Sequence, residues 1–369
     1  MKKTFLLGAL LLASSLIYAQ KPAETNVAGN QYPAIYPDNR IEFRIKAPQA
    51  KKVQVDIGKK YDMVKGDDGI WKITTDKIGS GIHYYSMIVD GLSVNDPASE
   101  TFYGCSRMMS CIEVPYPENE DQYKVQDIPH GEVRTKYYYS NVTKCFRKMY
   151  IYIPAGYDQN IDKKYPVLYI MHGGGEDARG WVNQGRGDII LDNLIAKGKA
   201  VPMIMVSLDA NLGRVYDNVT AEIMDNVVPF IEKNYRVDAC PEKRALAGLS
   251  MGGMYTLHVG VPRSDFFNYL GVFSSGWFAK NTGFFDTSKE SEACYNYLEN
   301  NKTNFNKNMK LFWIAMGSPT DIAYNNCNDM MKRFDQLGIN YKYYESKEGG
   351  HTWPVWREDL FLFAPQLFR

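Results

Sequence analysis

Arg244-Ala-Leu-Ala-Gly-Leu-Ser-Met-Gly-Gly-Met-Tyr-Thr-Leu257 runs from a continuous apolar stretch straight into a helical pattern. At the join lies Gly248-Leu249-Ser250-Met251-Gly252, a Gly-x-Ser-x-Gly pentapeptide between strand and helix. A serine in that place occupies a sharp, strained turn that lifts its hydroxyl clear of the backbone. Side chains two residues to either side would collide, so glycine fills both positions. Ser250 therefore reads as a nucleophile held at the end of a buried strand.

Working outward, residues 149–153, 166–171, 203–208, 269–273, 311–316 and 341–344 read as strands, several of them continuous apolar runs. Residues 188–196, 222–235 and 328–337 carry apolar side chains at three- and four-residue spacing and read as helices. Strands alternating with helices predict a mostly parallel sheet covered on both faces. With a serine elbow at a strand end, residues 131–369 have the pattern of an α/β-hydrolase domain, so the fold class is α/β.

The first third differs. Ile41, Phe43 and Ile45 alternate with polar residues, as do Val53, Val55 and Ile57. Trp71 and Ile73 follow a Gly-Asp-Asp-Gly turn, and residues 83–89 end at the hairpin signal Asp90-Gly91. Residues 30–125 thus read as a small all-β, immunoglobulin-like sandwich, after a poorly patterned leader over 20–40. The boundary falls between Val114-Pro115-Tyr116-Pro117 and Pro129-His130-Gly131.

Residues 1–19 read as a cleavable export signal. Lys2 and Lys3 precede an apolar run over 5–13, and Ala19 ends a small-residue cleavage site. The expected location is outside the cytoplasm, secreted or periplasmic. The run is shorter than the roughly 20 residues a bilayer needs, and no second run follows, so no membrane association is expected. Lys+Arg number 43 against 42 Asp+Glu, a net charge of +1, which gives no basis for a nucleic-acid partner. Six cysteines include no Cys-x-x-Cys pair and no Cys/His cluster, so neither a metal nor a cofactor is expected. The oligomeric state is left open.

A serine hydroxyl is a weak nucleophile and needs a base. Of the five histidines, 83, 130, 172, 258 and 351, only His351 lies far enough downstream of Ser250 in a loop, Gly349-Gly350-His351-Thr352. Asp321, just past the strand over 311–316, is the acid that would orient its imidazole. Asp329 and Asp335 fall in a helical pattern and Asp286 in a polar insertion. The backbone N–H of Met251 and that of Gly174 or Gly173, in His172-Gly173-Gly174-Gly175, would form the oxyanion hole. His172 itself reads as structural.

The segments Leu168-Tyr-Ile-Met-His-Gly-Gly-Gly-Glu176, Asp192-Asn-Leu-Ile-Ala-Lys-Gly-Lys199, Gly248-Leu-Ser-Met-Gly-Gly253 and Gly349-Gly-His-Thr-Trp-Pro-Val-Trp356 resemble the esterase-D-like branch of carbohydrate esterase family 1. That branch holds feruloyl and acetylxylan esterases, and the resemblance covers residues 131–369. Residues 35–115 resemble the early-set, immunoglobulin-like module that precedes such enzymes, akin to family 48 carbohydrate-binding modules. The resemblance implies a secreted serine esterase acting on feruloylated or acetylated hemicellulose through an acyl-enzyme. Ferulate release from arabinoxylan is the leading expectation, with acetylxylan and enterochelin-type esterases as alternatives. Trp181, Asp209, Asn211, Trp353 and Trp356 fall in expected loops that would border the pocket. Trp181, Trp277, Phe278 and Trp353 would offer an apolar slot for a phenolic ring. Tyr61, Trp71, Tyr84 and Tyr85 fall in strand patterns, where core packing is the common fate, so the N-terminal module reads as a spacer.

Overall fold

From residue 132 onward eight strands form one sheet, in the order Glu132–Ser140, Cys145–Ile153, Ile204–Leu208, Val167–Met171, Arg244–Leu249, Tyr269–Phe273, Leu311–Met316, Lys342–Glu345. The first two junctions are antiparallel and the rest parallel. The computed structural model describes residues 20–117, 121–278, 286–347 and 349–369, so the expected export signal lies outside the described residues. The five central strands are buried along their whole length, which is why they read as unbroken apolar runs.

Helices cover both faces. Val219, Ile223, Leu257, Leu298 and Phe334 pack on one. Ile190, Leu194, Leu360 and Phe363, from Gly187–Ala196 and Trp353–Phe363, pack on the other. Three elements depart from the sequence reading. The helix expected over 222–235 is a longer composite, Tyr216–Ala221 and Val228–Asn234 joined by a π-helical turn Glu222–Val227. That turn buries Glu222, which accepts hydrogen bonds from Tyr138 Oη and Ser140 Oγ, both at 2.6 Å. The polar stretch after Asp286 is a 21-residue helix, Ser288–Asn308, anchored by a narrow stripe of Cys294, Leu298 and Phe305. Trp353 and Trp356 lie on a helix, Trp353–Phe363, and not in a loop; Pro354 occupies its first turn, where a missing N–H costs nothing.

Residues 21–114 are all-β. Two antiparallel sheets, with Ile41, Phe43 and Trp71 on one and Val53, Val55, Tyr85 and Met87 on the other, share one core. The strands Thr101–Gly104 and Arg107–Val114 form a hairpin that the sequence reading left unassigned. Arg107–Val114 is buried over its last five residues because Ile112 and Val114 enter the sandwich core while Cys111 and Glu113 meet the hydrolase region. Ile82 and Cys111 belong to the same core cluster as Trp353 and Trp356. Fully buried Arg357 donates to Glu113 at 2.7 and 3.1 Å and to the Gln184 carbonyl at 2.7 Å. At Gly81, φ +98°, a Cβ would stand 2.6 Å from Tyr116 Oη and 2.8 Å from Pro354 Cγ, so glycine lets the two regions close on each other.

Candidate active site

Ser250 follows Arg244–Leu249 with φ 52° and ψ −116°, a backbone conformation that L-residues rarely adopt. A Cβ on Gly248 would lie 2.4 Å from the Gly252 backbone, and one on Gly252 would lie 2.6 Å from the His172 carbonyl. Both glycines are therefore required by close approach. The turn is braced by Ser250 N–H donating to Phe273 O at 2.8 Å and Ser275 Oγ donating to Ser250 O at 2.7 Å.

The chain brings Ser250, His351 and Asp321 together from three strand ends. His351 Nε2 is 2.9 Å from Ser250 Oγ, and His351 Nδ1 is 2.9 Å from Asp321 Oδ1. Asp321 Oδ1 also accepts the Ala323 N–H at 2.8 Å. Burial pushes the Asp321 carboxyl up, but the hydrogen bond and charge of His351 outweigh it, leaving the group below its ordinary range. With the acid ionised, Nδ1 carries the proton and Nε2 is free to accept one from the serine. The imidazole is held edge-to-face on Trp356, ring centroids 5.1 Å apart.

Beside the elbow runs the glycine loop after Val167–Met171. Gly173 presses on the turn so closely that a Cβ there would stand 2.6 Å from Leu249 Cδ1. Gly174 faces open space. Among the described residues, neither Gly174 N–H nor Met251 N–H donates to another group. Buried His172 braces this loop, with Nδ1 bonded to Gly173 O at 2.8 Å and Nε2 accepting the Ala210 N–H at 3.1 Å.

These groups open on a pocket of about 320 Å³. Its walls include Leu249, Trp353 and Trp356 from the hydrolase sheet side, and Ile82, Tyr84 and Cys105 from the N-terminal region. The N-terminal region reaches the site itself: the hairpin tip at Cys105-Ser106 bonds the glycine loop directly, Ser106 N–H to Gly175 O at 2.8 Å. Four expected substrate contacts lie elsewhere. Trp181 is fully buried, donates Nε1 to Met171 O at 2.9 Å and packs on Trp353 and Phe273. Trp277 packs on Tyr216 and stays out of the pocket. Asp209 accepts the Asn211 N–H at 2.9 Å and pairs with Arg147, and Asn211 Nδ2 binds Glu176 O at 2.8 Å. Trp181 and Asn211 support the wall residues Trp353 and Glu176 from behind. Phe278, likewise buried, closes on Thr287 and does not line the pocket.

Glu176 lines the pocket unforeseen by the sequence reading. Its Oε1 accepts from Trp353 Nε1 at 3.0 Å and Tyr84 Oη at 3.1 Å, and its Oε2 from Gln184 Nε2 at 3.2 Å. Burial pushes its carboxyl from an ordinary 4.5 up to about 7, against the pull of the Trp353 and Tyr84 hydrogen bonds. The folded chain thus holds this proton more tightly than the unfolded one. That contribution to stability is complete below about pH 4.5 and lost as pH rises through about 7. Glu176→Gln should flatten this dependence, the wild type losing about 3 kcal/mol relative to it between pH 4.5 and pH 8. Unfolding free energies measured at both pH values check this; parallel profiles for the two proteins contradict it.

A strained serine after the central strand of an eight-stranded, mostly parallel sheet places the chain among the α/β-hydrolases. Residues 140–367 match the family described as "Putative esterase", and the chain belongs to that esterase family. It is 35% identical over 273 residues to an endo-1,4-beta-xylanase/feruloyl esterase of Xylanibacter ruminicola, spanning 69% of this chain and 38% of that protein. It is 31% identical over 244 residues to endo-1,4-beta-xylanase Y of Acetivibrio thermocellus, spanning 60% of this chain and 22% of that one. The chain therefore covers less than half the length of either relative. Among solved structures, a ferulic acid esterase is 25% identical with a TM-score of 0.56, covering 64% of this chain and 97% of that one. An enterochelin esterase from Shigella flexneri, 16% identical, shares the fold with a TM-score of 0.64 over 89% of this chain and 92% of its own.

Proposed function

We propose that the chain hydrolyses carboxylic esters through an acyl-enzyme on Ser250, and that the preferred acyl group is feruloyl, borne on arabinoxylan. The observation that carries the mechanism is the continuous relay from Ser250 Oγ through His351, both lining one pocket, to buried Asp321. Ser250 Oγ attacks the ester carbonyl while its proton passes to His351 Nε2. The N–H groups of Met251 and Gly174 receive the oxyanion. His351 then gives the proton to the departing alcohol, and water, deprotonated by the same ring, releases the acid.

The acyl preference rests on the walls. Ile82, Leu249, Trp353 and Trp356 offer apolar surface for a flat ring, with Glu176 and Tyr84 as polar partners beside them. Burying a ring contributes about 1.5–3 kcal/mol, so such a slot favours ferulate over acetate by roughly 10- to 100-fold. The likeness of sequence to a xylanase/feruloyl esterase supports the same acyl group and polysaccharide. We also read residues 30–125 as an immunoglobulin-like module, and the charged and apolar N-terminus as supporting export. An enterochelin-type triester is the second reading, favoured by the 89% coverage of this chain by the Shigella flexneri structure. Comparing kcat/KM for methyl ferulate, enterochelin and acetate release from acetylxylan separates these substrates. Methyl ferulate should lead; acetate release with negligible ferulate turnover would overturn the acyl assignment.

A further inference from the structure

Arg147 is a nearly buried cation outside the relay of Ser250, His351 and Asp321. It stands on Cys145–Ile153 ahead of Tyr150, the first residue paired with Ile204–Leu208, and so overhangs the edge where Leu208 ends. Its guanidinium donates from Nη2 to Asp209 O at 2.5 Å and from Nη1 to Asn211 O at 3.3 Å. It also pairs with two carboxylates, Asp209 Oδ2 at 3.5 Å and Glu222 Oε1, reached from Nε, at 3.3 Å. Glu222 is turned inward by the π-helical turn Glu222–Val227 and is held there by Tyr138, Ser140 and Asn226 Nδ2, the last at 3.3 Å. Such turns occur frequently at functional sites.

Asp209 leads from this cation to the glycine loop. Its Oδ1 lies 3.3 Å from His172 Nε2, the atom that accepts the Ala210 N–H at 3.1 Å. With Nε2 accepting, the ring proton sits on Nδ1 and is donated to Gly173 O at 2.8 Å. The Gly173 carbonyl and the Gly174 N–H belong to one rigid peptide plane, so this bond aims the N–H. An uncompensated carboxylate beside Nε2 would draw the proton to that side of the ring, where the hydrogen bond is charge-assisted. Nδ1 would then turn a lone pair on the Gly173 carbonyl, and the peptide would lose its anchor. We propose that Arg147 is a positioning residue for the oxyanion hole: by neutralising Asp209 it keeps the His172 proton on Nδ1, and so holds the Gly174 N–H on the developing oxyanion. This goes beyond the serine-hydrolase reading above and rests on it. Glu222, on the far side of Arg147, fixes the guanidinium against the loop of Asp209 and Asn211.

Turnover of methyl ferulate and of its thionoester, in which sulfur replaces the carbonyl oxygen, tests this. Sulfur is too large and too weak an acceptor for a hole built for oxygen, so the wild type should favour the ester. Arg147→Met should lower kcat on the ester at least about tenfold with KM within about twofold, and should narrow the ester-to-thionoester ratio by a similar factor. A variant that was merely less well folded would lose both substrates alike and keep the ratio. Arg147→Lys keeps a charge beside Asp209 and should keep most of the ratio. Adding Asp209→Asn to Arg147→Met should recover part of the lost kcat, because a neutral amide does not draw the proton. Ring-nitrogen shifts of His172, read by NMR in histidine-labelled protein, report the tautomer without substrate: proton on Nδ1 in the wild type and on Nε2 in Arg147→Met. The same tautomer in both proteins, an unchanged ratio in Arg147→Met, or a loss in KM alone overturns the proposal. Absence of ester turnover in the wild type would refute the hydrolase reading and leave the tautomer result standing.

Discussion

Replacing Ser250 with alanine is expected to lower kcat on methyl ferulate by at least about 10³-fold, because the attacking oxygen is gone. The fold should not suffer. Ser250 Oγ bonds only His351 in the triad, while the turn itself is held by backbone bonds to Phe273 and by Ser275. Tm should therefore stay within a few degrees of wild type, as expected of a strained position that does not contribute to packing. Near-wild-type turnover in the purified variant would refute the assignment of the nucleophile.

Glu113→Ala should bring the largest loss of stability, about 3–5 kcal/mol. Glu113 is almost fully buried and accepts both Arg357 Nη1 and Nη2; Arg186 lies 3.7 Å away. Deleting the carboxylate leaves the guanidinium of Arg357 buried with its charge uncompensated. Removing both charges, as Glu113→Ala with Arg357→Met, should recover part of the loss, because a buried pair exchanged for apolar groups costs far less than a broken one. Arg357 sits one turn beyond Trp353 and directly follows Trp356, so kcat should also fall in the single variant through displacement of the pocket wall. Denaturant unfolding of the three proteins measures this. An unchanged stability in Glu113→Ala would mean that the N-terminal region is not docked through this pair.

What the sequence made legible follows from how local the physical constraint is. The glycine at 248 is dictated by the Gly252 backbone four residues on, the one at 252 by the distant Met171 and His172 but within a pentapeptide that marks it, and the apolar strands by burial on both faces. The pairing of Asp321 with His351 was foreseeable because strand ends of a parallel sheet deliver their loops to one edge. The tryptophans were not separable in this way. Trp181 and Trp353 are both buried and packed on each other, yet only Trp353 reaches the pocket. Which ring does so depends on the helix Trp353–Phe363, whose opening Gly-His-Thr-Trp-Pro reads as a loop. Ser288–Asn308 escaped notice because its asparagines are poor helix formers and its apolar stripe is narrow. Glu176, Tyr84 and Cys105 were invisible as a site for a different reason: two of them arrive from the region before residue 115, and no sequence pattern records that a hairpin tip docks beside Gly175.

The proposed mechanism passes through a feruloyl-enzyme on Ser250. Intact-protein mass spectrometry after acid quench of a millisecond reaction with methyl ferulate addresses it most directly. A mass gain of one feruloyl group is expected, mapping to the peptide that contains Ser250 and missing from Ser250→Ala. Turnover of methyl ferulate with no adduct under any quench time, or with the adduct on another residue, would contradict it.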